Sequence, residues 1–162
     1  LPIFHMSRVE APQNRRVNLR AIIVKDGKLF CQKLKNSHTL HDNEFWCTPG
    51  GGIDFGESLH EGLIREIIEE TGVEPVIGNL LFIQQFMDGD REQLEFFFHV
   101  TNADDYETLD LASTSHGDIE VAECAFVDPK TTNIKPNFLT TIDVDAAIAG
   151  ANPIRIAYDG KL

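Results

Sequence analysis

The sequence predicts an α/β domain in which a mixed β-sheet lies between helices. Three observations support this prediction. A glycine-rich loop leads into an amphipathic helix, apolar segments of strand length lie on both sides of that helix, and a second helical pattern comes late in the chain. Strands that flank a central helix favour a mixed sheet covered by helices. The length of 162 residues suits a single domain with a sizeable core.

The part of the chain before the helix is predicted to form short strands joined by polar turns. Asp26-Gly27 is a strong hairpin-turn signal between two of them. Residues 36–44 are polar and predict a loop, in which His38 and His41 are expected to be solvated rather than metal-bound. The strand-like segments here cover residues 16–25, 28–34, 45–48 and 53–55.

The helix has clear start and stop signals. Ser58 is a good N-cap residue, Glu61 three positions later completes a capping box, and Gly72 can adopt the left-handed conformation that ends a helix. Leu59, Leu63 and Ile67 recur at i, i+4 and i+8, so one face of the helix is predicted to enter a core.

The second half of the chain predicts further strands, a long acidic loop and a second helix. The loop covers residues 102–117, and loops of this length in compact domains are often functional. The apolar face of residues 136–149, which includes Phe138, predicts the second helix. The predicted strands cover residues 76–87, 93–101, 119–128 and 154–158.

Bulk composition excludes several classes of protein. The formal net charge of −12 argues against nonspecific nucleic-acid binding, which depends on Lys and Arg. No apolar run approaches the roughly 18–20 residues needed to cross a membrane. The three cysteines give no even framework of disulfides, so the cytoplasm is the expected compartment. Residues 1–6 are expected to be a cloning remnant or lead-in, and residues 7–162 a single domain.

The second half of the helix carries an unusual cluster of like charge. Glu66 and Glu70 are one turn apart and repel each other, while Arg65 can pair with Glu69 at i+4. A hard divalent cation would satisfy the two uncompensated carboxylates. The alternative is a solvated acidic helix face. The preceding glycines shift the balance toward a binding site, because they let the backbone approach a ligand just before a positive helix N-terminus.

The segment from Gly51 to Val73 resembles the Nudix box. That pattern is Gly, five residues, Glu, seven residues, Arg-Glu, an aliphatic residue, any residue, Glu-Glu, any residue, Gly and an aliphatic residue. Every fixed position is filled, by Gly51, Glu57, Arg65, Glu66, Ile67, Glu69, Glu70, Gly72 and Val73. The resemblance implies the Nudix-type α/β/α sandwich with a central mixed β-sheet.

The resemblance also implies an activity. Nudix hydrolases use Mg²⁺, with Mn²⁺ as a substitute, to cleave a nucleoside diphosphate linked to another group. By this likeness Glu66 and Glu70 are the expected first metal ligands, with Glu69 and the Gly51 carbonyl as additional ligands. Arg65 is expected to orient the glutamates, and Glu57 to fix the loop by accepting backbone hydrogen bonds.

The general base stays open at this point. It is a box glutamate in some members of the family, such as Glu69 here, and a residue on a later loop in others. The later candidates are His116, Asp118 and Glu120, the last of which resembles an additional metal ligand of some relatives. For each of them an exposed structural residue is the alternative.

Substrate choice is predicted only as a class, a small nucleotide-type diphosphate. Gly51, Gly52 and Phe138 are the candidate substrate contacts. Phe4, Phe82 and Phe86 could also stack on a base, although core packing is the simpler role for every one of these aromatic residues. Dimers are common in the family, so a homodimer is compatible.

Two alternatives to the hydrolase interpretation stay open. The first is a non-catalytic nucleotide-binding or regulatory module on the same fold, against which the intact glutamates speak. The second is a Nudix-like enzyme of another reaction class, such as an isoprenoid diphosphate isomerase. Such enzymes depart from the box pattern, which is complete here.

Overall fold

Short strands, one long helix and several single turns of helix make up residues 14–35, 45–150 and 155–159, which the computed structural model describes. The α-helices are α1 (Leu59–Thr71), α2 (Gly117–Glu120) and α3 (Val144–Ile148). The strands are β1 (Arg15–Ile22), β2 (Val24–Lys25), β3 (Lys28–Leu34), β4 (Trp46–Cys47), β5 (Ile77–Asp88), β6 (Arg91–Val100), β7 (Val121–Val127), β8 (Ile134–Lys135) and β9 (Arg155–Asp159).

The strands divide between two mixed sheets. The first sheet has the order β1-β6-β5-β9, in which β1 is parallel to β6, β6 antiparallel to β5, and β5 parallel to β9. The second has the order β2-β3-β4-β8, with β7 also paired to β3. The predicted α/β class with mixed pairing is therefore confirmed, and the strands are shared between two sheets.

Helix α1 begins and ends where its sequence signals predicted. The Ser58 side chain accepts a hydrogen bond from the Glu61 N–H, and the Glu61 side chain accepts one from the Ser58 N–H, so the capping box is closed. Gly72 has φ +75° and donates its N–H to the Ile68 carbonyl. Because both ends are satisfied locally, the helix presents its glutamates at fixed positions.

Two apolar clusters place helical segments on either side of the first sheet. One packs α1 against β1 and β6, and the other packs the segment 137–148 against β5 and β6. Alternation along the strands separates them, since Leu19 and Ala21 enter the first cluster and Ile22 the second. The first cluster includes Leu63, Ile67, Phe98 and Val100, and the second includes Phe82, Phe97, Leu139 and Val144.

Three predictions of secondary structure were wrong in detail. Residues 53–55 form no strand, because the loop meets β1 through an isolated bridge at Gly52 and then turns. Residues 136–149 are not one helix, because a 3₁₀ turn (Asn137–Thr140) ends before Asp143 caps the separate helix α3. The acidic loop contains two 3₁₀ turns, Ala103–Tyr106 and Leu111–Ser113.

Some predictions fall outside the described residues. The lead-in before residue 14, the loop with His38 and His41, and Phe4 all belong to this group. In the described residues no helix is long and apolar enough to span a membrane.

Candidate active site

A cleft of about 480 Å³ lies beside the C-terminal half of α1 and the polar end of the first sheet. Four glutamates, a histidine and the glycine loop line one part of it, and polar side chains from β1, β3 and β6 line another. The lining residues are Arg16, Asn18, Arg20, Gln32, Leu34, Gly50, Gly51, Glu66, Glu69, Glu70, Phe86, Asp88, Gln93, Glu95, His116 and Glu120.

The Arg65 guanidinium holds the acidic face of α1 together. Its Nε donates to Glu57 Oε1 at 2.7 Å, and its Nη1 donates to Glu66 Oε1 at 2.8 Å and to Glu69 Oε2 at 3.2 Å. Its Nη2 donates to the Gly52 carbonyl at 2.9 Å. The predicted pair with Glu69 is present, but the expectation that Glu66 lacks compensation was wrong. One planar guanidinium with five N–H donors reaches all of these acceptors at once.

Glu57 joins the glycine loop to the helix through hydrogen bonds. Its Oε2 accepts the Asp54 N–H at 2.9 Å while Arg65 donates to both of its oxygens. These hydrogen bonds favour the charged carboxylate and lower the pKa of Glu57 to about 2. Glu57 therefore clamps the loop to the helix.

Glu70 occupies a different environment from the other glutamates. It is only 4% exposed, and its two oxygens accept hydrogen bonds from Gln32 Nε2 at 2.9 Å and from the Gly50 N–H at 2.8 Å. Burial raises the pKa of Glu70 to about 7, although both hydrogen bonds and the charge of Arg20 oppose the change. A desolvated carboxylate of this kind gains the most from a nearby cation.

The glycine loop approaches α1 too closely for side chains. A Cβ at Gly51 would lie 2.4 Å from Glu66 Oε2, and one at Gly50, where φ is +125°, would lie 2.1 Å from the Leu19 carbonyl oxygen. The Gly51 carbonyl accepts the Leu19 N–H at 2.8 Å, which leaves its second lone pair available. These glycines allow the loop to lie between β1 and the glutamates.

The end of the acidic loop reaches the C-terminus of α1. His116 donates its N–H to the Glu69 carbonyl at 3.0 Å, and its ring Nδ1 lies 3.3 Å from Glu69 Oε2. A Cβ at Gly117 would lie 2.4 Å from the Glu70 carbonyl oxygen, so only glycine permits this contact. Glu120 is exposed and lines the cleft. The side chain of Asp118 is outside the described set.

Two predicted substrate contacts lie apart from the glutamates of the cleft. Phe138 packs edge-on against Phe82 and Phe97, at ring-centroid distances of 5.6 and 5.4 Å, and does not line the cleft. The prediction placed it on a helix face, whereas the 3₁₀ turn directs it into the second apolar cluster. The Gly52 carbonyl already accepts a hydrogen bond from Arg65, and Gly52 borders a separate groove. Phe86, in contrast, does line the cleft.

The sequence reasoning missed the polar residues of the strands. Asn18 and Glu95 are buried, yet both line the cleft, and Arg20 joins them by an ion pair of 3.0 Å to Glu95. The signal was present in β1, where residues 16, 18 and 20 are polar and alternate with apolar neighbours. That alternation predicts one polar face of the strand.

The chemistry of the donors suits Mg²⁺. The cleft offers carboxylates from Glu66, Glu69, Glu70 and Glu120, and magnesium prefers oxygen ligands. Beside Glu70, Oε1 of the buried Gln32 has no hydrogen-bond partner among the described residues, which indicates a missing donor such as an ordered water. Among the described residues, no group of three or more Asp, Glu, His or Cys side chains is already arranged to hold a metal ion. Magnesium is commonly held by one or two carboxylates and keeps several waters, so the carboxylates of Glu66 and Glu70 suit the ion.

The fold and the site define the class of protein. The family model described as the NUDIX domain matches residues 14–142, so the chain belongs to the Nudix family. The MutT protein of Methanosarcina mazei Go1 shares the fold with a TM-score of 0.66 and 17% identity, over 88% of this chain and 99% of that one.

Curated relatives match a shorter region. An ADP-ribose pyrophosphatase of Methanocaldococcus jannaschii is 38% identical over 77 residues, which is 46% of this chain and 42% of the relative. A putative 8-oxo-dGTP diphosphatase of Bacillus subtilis is 38% identical over 80 residues, 47% of this chain and 54% of the relative. The matched part of the chain thus spans about half the length of these relatives.

Proposed function

We propose that this protein is a Mg²⁺-dependent hydrolase that cleaves the diphosphate bond of a nucleoside diphosphate linked to another group. The observation that carries the proposal is the buried Glu70 carboxylate, held at the cleft by Gln32 and Gly50 beside Glu66 and Glu69. A fold alone does not define a function, and this arrangement of oxygen donors supplies the chemical argument. Hydrolase names among the curated relatives support the same class.

The residues of the cleft divide into ligands and groups that position them. Glu66 and Glu70 are the proposed principal ligands, with Glu69, Glu120 and the Gly51 carbonyl as further oxygen donors. When bound, Mg²⁺ supplies charge neutralisation for the phosphates and activates water for attack on phosphorus.

Arg65 and the neutral donors hold the ligands in place. The guanidinium fixes Glu66 and Glu69 relative to the loop, because it bonds both carboxylates and the Gly52 carbonyl. The Gly50 N–H and the Gln32 amide orient Glu70. The carboxylates therefore need no reorganisation when substrate enters, which is the condition for efficient stabilisation of developing charge.

Glu69 is the proposed general base. Its carboxylate lies 3.3 Å from the His116 ring, which can receive or relay a proton. Arg65 Nη1 is a more distant partner for Glu69, at 3.2 Å, than for Glu66, at 2.8 Å.

The substrate is proposed only as a nucleotide-type diphosphate. The names of curated relatives refer to ADP-ribose, 8-oxo-dGTP and RNA, so they agree on a diphosphate bond and differ in the attached group. Use of Mn²⁺, a homodimeric state, a cytoplasmic location and a single domain over residues 7–162 stay predictions.

A metal-dependent assay tests the proposal. Phosphate or nucleotide release from a panel of nucleoside diphosphate derivatives is measured with Mg²⁺ and with EDTA. We expect turnover only with Mg²⁺, and a loss of about 100-fold or more in the Glu70→Gln variant. Glu74→Gln is the matched control, because Glu74 lies just beyond α1 and does not line the cleft. Equal hydrolysis by wild type and Glu70→Gln, or no hydrolysis of any compound, would rule out the proposed reaction and favour a non-catalytic binding module.

A further inference from the structure

A largely buried ion pair joins two strands of the first sheet beside the cleft. Arg20 of β1 and Glu95 of β6 are not directly opposite each other, because the register pairs Glu95 with Asn18. Arg20 therefore reaches the carboxylate on the diagonal, and its Nε and Nη2 both lie 3.0 Å from Glu95 Oε1. The two side chains are only 22% and 5% exposed, so both charges are largely removed from water.

The stability of the fold does not explain this pair. A buried ion pair loses the hydration of both charges, and apolar side chains of similar volume often serve stability as well or better. Ile22, two residues further along the same face, and Phe97, the register partner of Arg20, both belong to the second apolar cluster. An apolar residue at position 20 would extend that cluster, so the charge at this position points to another role.

The guanidinium of Arg20 also reaches the glycine loop. Its Nη1 donates to the Gly50 carbonyl at 2.7 Å. The flanking carbonyls of Pro49 and Gly51 accept backbone N–H groups of β1, so the strand holds the loop on both sides of Gly50. Gly50 itself is buried and is held by side chains, with Arg20 at its carbonyl and Glu70 at its N–H. A buried carbonyl requires a donor, and Arg20 supplies it.

The hydrogen bonds continue from Gly50 to the buried glutamate of the cleft. The Gly50 N–H donates to Glu70 Oε2 at 2.8 Å. Glycine has wide conformational freedom, and Gly50 has φ +125°, which other residues rarely adopt. The bond from Arg20 to its carbonyl limits the backbone rotation that would carry its N–H away from Glu70. The contacts thus form one chain from Glu95 through Arg20 and Gly50 to Glu70.

We propose that Arg20 and Glu95 are positioning residues that fix Gly50, so that its N–H holds the Glu70 carboxylate in place for a metal ion. Glu95 orients the guanidinium, and the guanidinium holds the loop. The inference rests on the proposed function for the role of Glu70 as a metal ligand. Groups that orient a metal ligand change the affinity for the metal when they are removed, although they do not touch it.

A double variant, Arg20→Met with Glu95→Gln, tests the assignment. The two changes remove both charges of the pair together, whereas removal of one would leave the other buried and unpaired. The glutamine also keeps an acceptor for Asn18. The matched control is Arg15→Met with Glu92→Gln. It removes an ion pair between the same two strands, at a register position outside the cleft.

Hydrogen exchange measures the position of the loop without metal or substrate. The exchange rate of the Gly50 amide is followed by NMR in EDTA. We expect it to rise about tenfold or more in the double variant, because the loop opens more easily without its charged donor. The Gly72 amide, which donates to the Ile68 carbonyl at the end of α1, should change little. Both amides should exchange at wild-type rates in the control variant.

Titration with Mn²⁺ alone measures the consequence for the metal site. Electron paramagnetic resonance follows the free ion, so neither substrate nor turnover is needed. The double variant should bind Mn²⁺ about tenfold or more weakly than wild type, and the control variant should bind it as wild type does.

Several outcomes would overturn the positioning role. One is unchanged Gly50 exchange and Mn²⁺ affinity in the folded double variant, and another is equal acceleration at Gly50 and Gly72, which reflects stability alone. A higher KM for substrate with Gly50 exchange and Mn²⁺ affinity both unchanged would instead assign Arg20 to substrate contact.

A second variant keeps the test decisive if the double variant does not fold. Arg20→Lys retains the charge but replaces the guanidinium fork by one ammonium, so Gly50 exchange should still rise by about threefold or more. Unchanged exchange in that variant refutes the inference. Failure of the proposed function is distinguishable, because a wild-type protein that binds no Mn²⁺ refutes the metal dependence, while faster Gly50 exchange still supports the positioning of the loop.

Discussion

Replacing Glu70 by Gln should stabilise the metal-free protein while abolishing activity. The pKa of Glu70 rises from an ordinary value of 4.5 to about 7 because the carboxylate is buried. Between these two pH values the folded protein binds a proton more tightly than the unfolded chain, so the free energy of unfolding falls as pH rises. The cost is complete above pH 7. A shift of this size corresponds to about 3 kcal/mol at roughly 1.4 kcal/mol per pH unit.

The amide introduced by Glu70→Gln can keep the hydrogen bonds of the carboxylate. Its carbonyl would accept the Gly50 N–H in place of the carboxylate oxygen. Rotation of the Gln32 amide would then turn its unpartnered Oε1 toward the new NH₂ group. The substitution therefore removes the buried charge and keeps both hydrogen bonds of residue 70, so the expected stabilisation should be measurable.

Urea denaturation in EDTA from pH 4.5 to 8.5 measures the effect. The difference in free energy of unfolding between Glu70→Gln and wild type should grow with pH up to about 7 and then level off. Saturating Mg²⁺ should reverse the order, because it stabilises only the protein that binds it. A difference that does not change with pH, or a variant that is less stable at pH 8 in EDTA, would refute the reasoning about burial.

Three further predictions concern the geometry around the cleft. Gly51→Ala should lower turnover by about tenfold or more with little loss of stability, because the new Cβ displaces the end of the flexible Glu66 side chain. Steady-state kinetics measures the turnover, and thermal unfolding measures the stability. Gly117→Ala should lower the free energy of unfolding by about 1–3 kcal/mol, because the new Cβ meets the rigid Glu70 carbonyl. Urea denaturation measures this loss, and an unchanged midpoint would contradict the prediction. Arg65→Lys should reduce turnover by about tenfold or more, because one ammonium cannot replace the guanidinium fork; wild-type rates in the folded variant would contradict this.

The features set by local sequence were predictable. The start and end of α1 follow from Ser58, Glu61 and Gly72, which act through hydrogen bonds within a few residues of themselves. Strands β1, β3, β5, β6 and β7 were predicted because apolar residues recur along them, whereas the two-residue strand β8 carries no such pattern. The α/β class followed from the order of these elements.

The features set by tertiary contacts were not predictable from one sequence. Spacing on a helix suggested a pair between Arg65 and Glu69, but the chosen rotamer also reaches Glu57 and Glu66, and nothing in the spacing selects it. The floor of the cleft depends on the register between β1 and β6, which brings Asn18 opposite a residue 77 positions later. A strand pattern gives the face of a residue and not its neighbour across the sheet.

The glutamates around the cleft differ in the partners that donate to their carboxylates. Arg65 donates hydrogen bonds to Glu57, Glu66 and Glu69, so these three carboxylates share its single positive charge. Glu70 receives only neutral donors at close range, because the nearby Arg20 is already engaged by the buried carboxylate of Glu95. Among the described residues, no cation donates a hydrogen bond to its carboxylate. The repulsion inferred from the sequence is therefore concentrated on Glu70, and this is the carboxylate on which a bound cation would have the largest effect.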